Sequence, residues 1–523
     1  MATTLTGFGG VEEIGGNAFL VDDGHTRLFL DFGRRFGNDP RDGTKTEGMR
    51  PGWGDYFDPF LKPRGFSYVQ DLAALQLIPD VLGAYRTDIG GLDGPAGLDG
   101  VVLSHAHADH AGLIPLLKPE VPVLGSAESW ATLRSLEHTG SGLDNEYTRP
   151  KPKGLGRTAT GKVSAHAKHP GVERTLRDER RLDIGDWDVQ QFAVDHSIHG
   201  AQGTVLAGRD TTICYTGDFR IHGRNADATA KFLERAGGSD VLITEGTNVH
   251  QGHKHEGSDK EVEVEGEIEA AIDAQGDGFV GIAAPPRDLD RFVSLYHVAR
   301  GHGRRLVIPM KQAHLLESLR AAGRDDLPDP RRDPHVAIHL PRKGKGLVGA
   351  GRARVYDGFG FEDVDVDDDL VASDYAAWEK PYLDADLVTS ADIGVEPGAY
   401  LFSLSYWTIT QLFDIFPERK TRSGEAASGL YIHSMTQPFN DEMEISDRKL
   451  RRWLDAFGLS RVDTHISGHL SEDDLHWAIE EVGARTLVPI HSMHPGVTAE
   501  RFQDRNPDHQ AVLPRWGHAE TLA

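Results

Sequence analysis

Short apolar runs that end in polar residues dominate the first half of the chain. Residues 101–103, 212–215 and 241–244 are each apolar enough to predict a buried strand. Residues 7–32 predict short strands joined by glycine-rich turns, and residues 69–77 predict one helix. A histidine or a carboxylate follows each of the three buried strands within three residues, so the pattern places polar side chains at strand ends.

The pattern changes over residues 278–319, where two predicted strands alternate with two predicted helices. Strands at 279–283 and 305–309 and helices at 289–299 and 313–321 are typical of a β-α-β-α unit built on a parallel sheet. Residues 323–369 are rich in Asp, Arg, Pro and Gly and predict a surface insertion. After residue 450 the pattern predicts, in order, a helix, a strand at 464–467, a helix at 472–483 and a strand at 486–490.

Length and composition restrict the class of protein. A chain of 523 residues is too long for one ordinary domain and predicts two or three. It contains no run of 18 apolar residues, no basic segment followed by an apolar one at its start, and a single cysteine, Cys214. These features predict a cytoplasmic protein without a membrane span or an internal disulfide.

The net charge of −25 argues against a polyanionic partner unless basic residues are concentrated locally. The chain has 40 Arg against 16 Lys, and arginine suits bidentate contacts with phosphate. Residues 140–165 form a basic, loop-like segment, whose cations are Arg149, Lys151, Lys153, Arg157 and Lys162. The composition therefore leaves open a nucleic-acid site that is a local basic groove in an acidic protein.

The residues most suggestive of chemistry follow the apolar strand at 101–103. The sequence over residues 104–110 is Ser-His-Ala-His-Ala-Asp-His, so three histidines and one aspartate fall within six residues. Imidazole and carboxylate are the usual ligands of zinc-like ions. On an extended turn His105 and His107 point to one side, and Asp109 and His110 follow as the chain curls into a helix. The segment therefore predicts a metal site.

This H-x-H-x-D-H motif after a strand resembles the signature of the metallo-β-lactamase superfamily. Further candidate ligands follow in the expected order, each at the end of a strand. The resemblance implies two metal ions, Zn²⁺ with Mn²⁺ as the alternative, and a hydrolytic reaction. His199 lies close to His196, but its Asp-His-Ser-Ile context favours His196. The resemblance assigns His105, His107 and His196 to one ion, Asp109, His110 and His491 to the other, and Asp218 to both.

More than 250 residues separate Asp218 from His491, and they include the β-α-β-α unit. This spacing is similar to that of the β-CASP branch, which contains nucleases with a whole domain inserted at this point. Glu245 and His469 resemble two motifs of that branch, and residues 10–17, with H-x-S-G-H before P-x-H, resemble ribonuclease J. The implied fold is a metallo-β-lactamase αββα sandwich, residues 1–250 and 436–523, with an inserted α/β β-CASP domain at residues 251–435.

The same resemblance implies a ribonuclease that hydrolyses RNA phosphodiester bonds as a 5′-3′ exonuclease, an endonuclease or both. Its substrate would be single-stranded RNA with a 5′-monophosphate. His469 would protonate the leaving 3′ oxygen, Glu245 would orient it, and Asp109 completes the implied catalytic set. The residues that would hold a substrate phosphate are His465, Ser467, Gly468 and His469.

Some features depart from ribonuclease J. Residues 285–288, Pro-Pro-Arg-Asp, stand where those enzymes tend to have a Ser-Asn pair, so Arg287 is either a phosphate contact or a surface residue. The acidic start of the helix after Ser471 would repel an anion, so no phosphate is placed there. The chain ends 32 residues after His491, where the relatives continue into a dimerisation domain, and the oligomeric state is therefore left open.

Three other functions compete with the ribonuclease. A DNA nuclease of the same branch is open because no motif separates RNA from DNA. A small-molecule hydrolase for esters, lactones or thioesters suits the negative charge, but Glu245 and His469 oppose it. A scaffold without catalysis is opposed by the complete ligand set. A groove lined by Arg and Lys would favour a nuclease, and a closed apolar pocket would favour the small-molecule enzyme.

Overall fold

Two compact units make up the chain. The computed structural model describes residues 2–36, 67–152, 156–157, 160–164, 171–249, 260–346, 351–356, 361–417, 429–438 and 441–522. The first unit consists of Met1–Glu256 and Ser467–Ala523, and the second of Gly257–Ile466. The predicted start of the inserted domain at residue 251 lies outside the described residues, as does Lys153 of the basic segment.

Two seven-stranded sheets form the centre of the first unit. In spatial order the strands of one sheet are Ala519–Thr521, Thr4–Gly7, Phe19–Asp22, Arg27–Leu30, Gly100–Val102, Val123–Leu124 and Leu176–Arg177. Those of the other are Gln510–Ala511, Thr486–Ile490, Val241–Glu245, Thr212–Tyr215, Gln202–Ala207, Trp187–Ala193 and Arg181–Ile184.

The two sheets pack face to face because their strands bury both faces. Alternate residues of a strand point to opposite sides, so Leu28 and Leu30 enter the core between the sheets while Phe29 packs outward. In the second sheet, Ile243 likewise enters the core between the sheets, and Leu242 packs on the outer face. Helices cover both outer faces, which gives four layers: Tyr68–Ala74 and Ala127–Thr139 on one side, and Ala226–Ala236, Glu472–Val482 and Pro495–Arg505 on the other.

A third sheet of seven strands, all parallel, forms the second unit. In spatial order its strands are Leu387–Val388, Val336–His339, Arg305–Pro309, Tyr400–Ser403, Phe279–Ala283, Gly429–His433 and Leu459–Asp463. Its helices are Glu261–Gln275, Leu289–Gly301, Met310–Ala321, Asp368–Ala372, Ser390–Val395, Leu412–Ile415 and Asp441–Phe457. The β-α-β-α pattern of residues 278–319 therefore corresponds to a parallel sheet.

The structure differs from the sequence prediction in three places. The strand expected at 464–467 is instead Leu459–Asp463, which pairs with Gly429–His433 and extends the second unit to Ile466, beyond the predicted boundary at 435. Residues 323–369, predicted as a surface insertion, include the buried strand Val336–His339. The sequence did not predict this strand because its four residues stand between segments rich in Asp and Pro. The apolar character of residues 111–117 suggests that a helix opens there, but these residues contain only a 3-10 turn, Ile114–Leu116, after the short helix Ala108–Ala111.

The described residues contain no helix that is both long and apolar enough to cross a membrane.

Candidate metal centre

The candidate ligands lie at the carboxyl ends of strands in both sheets of the first unit. Three neighbouring strands of the second sheet run parallel, with Tyr215 opposite Ile243 and Glu245 opposite Ile490. Their carboxyl ends therefore meet at one edge, and the residues that follow, Asp218 and His491, arrive there together with Glu245. Gly100–Val102 of the facing sheet ends at the same place and delivers the histidine-rich turn.

Gly33 packs closely against the short helix Ala108–Ala111, which carries the candidate ligands Asp109 and His110. A Cβ atom on Gly33 would lie 1.7 Å from the carbonyl oxygen of Asp109, so only glycine fits there. The backbone of Asp109 and His110 is held on the same side, since their carbonyls accept hydrogen bonds from the amides of Asn17, at 2.8 Å, and Phe32, at 2.7 Å. The position of Asp109 is therefore set by contacts with the first strands of the chain.

Three histidines form the first cluster. Nε2 of His105 lies 3.0 Å from Nδ1 of His107, and Nε2 of His196 lies 3.3 Å from the same atom. The three ring nitrogens fall within 4.8 Å of one another. His199 is not a member of this cluster, so the geometry supports the choice of His196 over it.

Two carboxylates and two histidines form the second cluster. Nε2 of His110 lies 2.9 Å from Oδ2 of Asp218, and Nε2 of His491 lies 3.3 Å from Oδ2 of Asp109. The same Asp218 oxygen is 3.7 Å from Nε2 of His491 and 3.8 Å from Nε2 of His105 in the first cluster. Asp218 therefore stands between the two groups of ligands.

The ring nitrogens that face away from the clusters are themselves held. Nδ1 of His105 is 3.0 Å from Oγ of Ser104, and Nδ1 of His110 is 2.7 Å from Oδ2 of Asp31. Asp31 also accepts hydrogen bonds from the amide of Ser104 at 2.6 Å and from the hydroxyl of Tyr215 at 2.5 Å. Such partners fix the ring orientation of metal-binding histidines. Sequence analysis missed Asp31, although it directly follows the apolar strand Arg27–Leu30, as the predicted ligands follow theirs.

Two further histidines, His196 and His491, are oriented from other parts of the first unit. Nδ1 of His196 lies 2.7 Å from the carbonyl oxygen of Gly468, and Nδ1 of His491 lies 2.8 Å from Oγ1 of Thr247. The backbone of His491 is strained, with a φ of 47° that side chains rarely adopt. Thr247 was also missed; its position two residues after Glu245 was the only signal in the sequence.

Burial and charge set the protonation of the two clusters differently. Burial, reinforced by neighbouring histidines, holds the pKa of His105 well below its ordinary value, and that of His196 likewise. For His110, burial acts to lower the pKa, but Asp218, Asp109 and Asp31 outweigh it and raise the pKa well above its ordinary value. Despite burial, nearby histidines hold the pKa of Asp218 and of Asp109 below the ordinary range.

This donor set fits divalent cations. Three imidazoles converge in the first cluster, and two carboxylates accompany the imidazoles of the second, which are the ligand types of zinc-like ions. Among the described residues, Oδ1 of Asp218 is buried without a hydrogen-bond partner. Buried polar atoms are nearly always satisfied, so a carboxylate oxygen without a partner between two ligand clusters fits a residue that could coordinate a cation.

Glu245 and His469 form a hydrogen-bonded pair beside both clusters. Oε2 of Glu245 lies 2.8 Å from Nδ1 of His469, and Oε1 accepts a hydrogen bond from the amide of Phe219 at 2.9 Å. The His469 ring centroid is 5.3 Å from that of His196 and 5.5 Å from that of His491. Burial acts to lower the pKa of His469, but Glu245 and Asp218 raise it to about 9. The imidazole therefore keeps a proton in the cation-free protein at neutral pH.

The residues assigned to a substrate phosphate lie in one short segment at the boundary between the two units. Ser467, Gly468 and His469 lie in the first unit, whereas His465 belongs to the second. The amide of His469 donates to Oγ of Ser467 at 3.1 Å, and the carbonyl of Gly468 holds His196. Part of this turn is therefore engaged in positioning the centre. Ser471 caps the helix Glu472–Val482 by accepting from the amide of Asp474.

Residues 78–280 match the family model described as "Beta-lactamase superfamily domain". This match covers about two fifths of the chain, which is similar to that domain over these residues. The matched residues include the predicted ligands from His105 to Asp218, so the family expected from the H-x-H-x-D-H motif and the fold expected with it are confirmed.

Relatives of the metallo-β-lactamase domain carry the name ribonuclease J. The chain is 28% identical over 220 residues to "Ribonuclease J" of Mycolicibacterium smegmatis, covering 40% of this chain and 33% of the relative. It is 23% identical over 254 residues to "Ribonuclease J" of Helicobacter pylori, covering 47% and 28% respectively. The matches thus span about a third of the length of these relatives.

A solved structure shares the fold of the whole chain. The crystal structure of a protein of unknown function from Enterococcus faecalis V583 has a TM-score of 0.66 and 21% identity, and covers 99% of this chain and 100% of that one. At this identity it shows the fold alone.

Proposed function

We propose that the protein is a metal-dependent ribonuclease that hydrolyses RNA phosphodiester bonds, as a 5′-3′ exonuclease, an endonuclease or both. The observation that carries the proposal is the Glu245–His469 pair beside the two ligand clusters. Hydrolysis of a small ester or lactone at a two-metal centre needs no such additional acid, whereas cleavage of a phosphodiester must protonate a poor leaving oxygen. The relatives named ribonuclease J support RNA as the substrate.

Two cations, Zn²⁺ or Mn²⁺, fit the clusters, one on His105, His107 and His196 and the other on Asp109, His110 and His491, with Asp218 shared. Such ions would supply Lewis acidity toward a phosphate ester and neutralise its developing charge. The chain's contribution is to fix these donors in advance, through Ser104, Asp31, Gly468 and Thr247.

His469 is the proposed general acid. Its Nδ1 is held by Glu245, which leaves Nε2 to carry the proton that passes to the leaving 3′ oxygen. Glu245 is itself fixed by the Phe219 amide and by the Thr247 hydroxyl, so it orients the imidazole and favours its protonated form. A proton donor held in this way contributes roughly 10²–10⁴-fold to the rate.

The proposal is tested on a 5′-monophosphorylated single-stranded RNA and a DNA of the same sequence, with the protein loaded with Zn²⁺ or Mn²⁺, at low and high salt. RNA cleavage that needs the metal and falls roughly 10²–10⁴-fold in His469→Ala, with metal content unchanged, is the expected result. A 5′-triphosphorylated RNA in parallel tests the expected preference for the monophosphate.

Other outcomes assign the centre differently. Equal cleavage of RNA and DNA would make the protein a general nuclease. A metal-loaded protein that cleaves neither nucleic acid under any of these conditions overturns the proposal, and ester and lactone substrates would then be the next class to examine.

A further inference from the structure

A basic arm leaves the first unit close to the metal centre. Its described residues are 148–152, 156–157, 160–164 and 171–174, and its two sides join at the base, where the amide of Val172 donates to the carbonyl of Pro150 at 2.9 Å and that of Arg174 to the carbonyl of Thr148 at 2.9 Å. Its described outer part contains a short hairpin of Gly156–Arg157 and Val163–Ser164. From residue 147 to residue 172 the sequence contains no Asp or Glu.

Arg174 fastens the base of the arm to the segment that follows the metal-binding helix. Its buried guanidinium donates to four backbone carbonyls, two of which are those of Ile114 at 2.9 Å and Leu117 at 3.1 Å. Ile114 is four residues from His110, and four residues reach at most roughly 14 Å. The base of the arm is therefore anchored to a segment that begins within roughly 14 Å of the ligand His110.

Two carboxylates, Glu137 and Glu146, are engaged with the backbone at the base of the arm. Glu137 accepts hydrogen bonds from the amide of Thr148 at 2.8 Å and from that of Arg149 at 3.2 Å. Glu146 is paired with Arg86 at 2.8 Å and also accepts from the amide of Lys151. These carboxylates hold the backbone of the arm and do not neutralise its side chains.

Four cations of the arm are exposed and form no ion pair with any described residue: Arg149, Lys151, Arg157 and Lys162. Two exposed arginines elsewhere in the unit, Arg181 and Arg209, are paired with Asp188 and Asp186. In a chain with 81 acidic and 56 basic residues, four unpaired cations on one acid-free segment are a local positive surface on an acidic protein.

We propose that Arg149, Lys151, Arg157 and Lys162 bind the phosphate backbone of single-stranded RNA and hold the substrate at the metal centre. The inference rests on the proposed ribonuclease function and assigns it a docking surface. A flexible polyanion suits the surface because its phosphates repeat and can engage spaced cations, each contact releasing a condensed counterion. The negative charge of the rest of the protein would confine the RNA to this surface.

The test replaces all four cations by glutamine, which keeps part of each stem. The control variant carries the same change at four exposed cations of the same unit outside the arm, Arg209, Lys231, Arg235 and Arg485, so both variants gain the same negative charge. Binding of a labelled, unstructured RNA is measured with a chelator present, so that cleavage plays no part, and its salt dependence is recorded. Thermal unfolding verifies that both variants are folded.

The arm variant is expected to bind RNA about tenfold more weakly at low salt, and the slope of log affinity against log salt should fall by up to about 3. With metal restored, KM for long RNA should rise by a similar factor while kcat and the cleavage of a dinucleotide stay unchanged. Equal binding by the arm and control variants overturns the proposal. If RNA binding depends on the arm but the metal-loaded protein cleaves no RNA, the docking surface stands as proposed. That outcome would count against the ribonuclease function.

Discussion

Oγ1 of Thr247 lies 2.8 Å from Nδ1 of the candidate ligand His491, and its hydroxyl also donates to Glu245. One side chain thus connects a metal ligand to the carboxylate that holds the proposed general acid. The connection makes Thr247 a positioning residue for both parts of the centre.

Replacing Thr247 by valine should therefore weaken metal binding. Valine has the same shape but leaves Nδ1 of His491 without its partner, and loss of such a partner typically costs 10–100-fold in metal affinity. In a competition with a chromophoric chelator, the valine variant should lose one of two bound ions at a lower chelator concentration than the original protein does. Thr247→Ser, which restores the hydroxyl, should bind like the original protein. Tight binding of both ions by the valine variant would show that His491 is held by the backbone alone.

The Glu245–His469 pair should behave as one catalytic device. Glu245→Gln and His469→Ala are each expected to lower kcat, and the double variant should be little worse than His469→Ala, because the carboxylate acts through the imidazole. The carboxylate alone is expected to contribute roughly 10–100-fold, below the range for the acid itself. Independent, multiplicative losses in the double-mutant cycle would mean that Glu245 acts on the substrate or the metals directly.

Gly33 should tolerate no side chain. The Cβ atom of Gly33→Ala would lie 1.7 Å from the carbonyl oxygen of Asp109, and this backbone atom cannot move without moving the ligand. Overpacking of this kind should destabilise the protein by about 3 kcal/mol or more and reduce its metal content. Gly496→Ala, where nothing lies within 4 Å, is the matched control and should neither destabilise the protein nor change its metal content. Chemical unfolding and metal analysis of the two purified variants decide the matter.

The parts of the centre that sequence could predict are those in which local pattern and chemistry coincide. His105 to His110 stand together after an apolar strand, and Asp218 and His491 follow strands of the same kind. The supporting residues depend on pairing over long distances in the chain. Asp31 reaches Ser104 across 73 residues and Tyr215 across 184, and no spacing rule connects them.

The fold shows the same division between local and long-range information. The strands at 279–283 and 305–309 were predictable because each is flanked by a helical pattern. The strand Leu459–Asp463, which lies beyond the predicted boundary at residue 435, was hidden in the sequence because it contains charged residues and is only partly buried. Only its pairing with Gly429–His433, a relation across 30 residues, identifies it as the last strand of the second unit.

The buried His339 should make the second unit sensitive to acid. It ends the strand Val336–His339, its Nε2 lies 3.0 Å from Oγ of Ser390, and burial lowers its pKa from 6.5 to about 4. Between pH 6.5 and about 4, the unfolded chain therefore binds a proton at His339 that the folded chain does not bind. Stability should be full above pH 6.5 and fall as the pH drops toward 4, by up to about 3 kcal/mol from this residue.

Urea unfolding of the original protein and of His339→Gln at several pH values between 7 and 4 measures this contribution of His339. Glutamine does not titrate, so the difference in unfolding free energy between the two proteins should change with pH, while the carboxylates common to both cancel. Ser390→Ala keeps the histidine buried and should retain the full acid sensitivity. A pH profile of His339→Gln parallel to that of the original protein would show that the imidazole is protonated in the folded state, with water reaching it at the end of the strand.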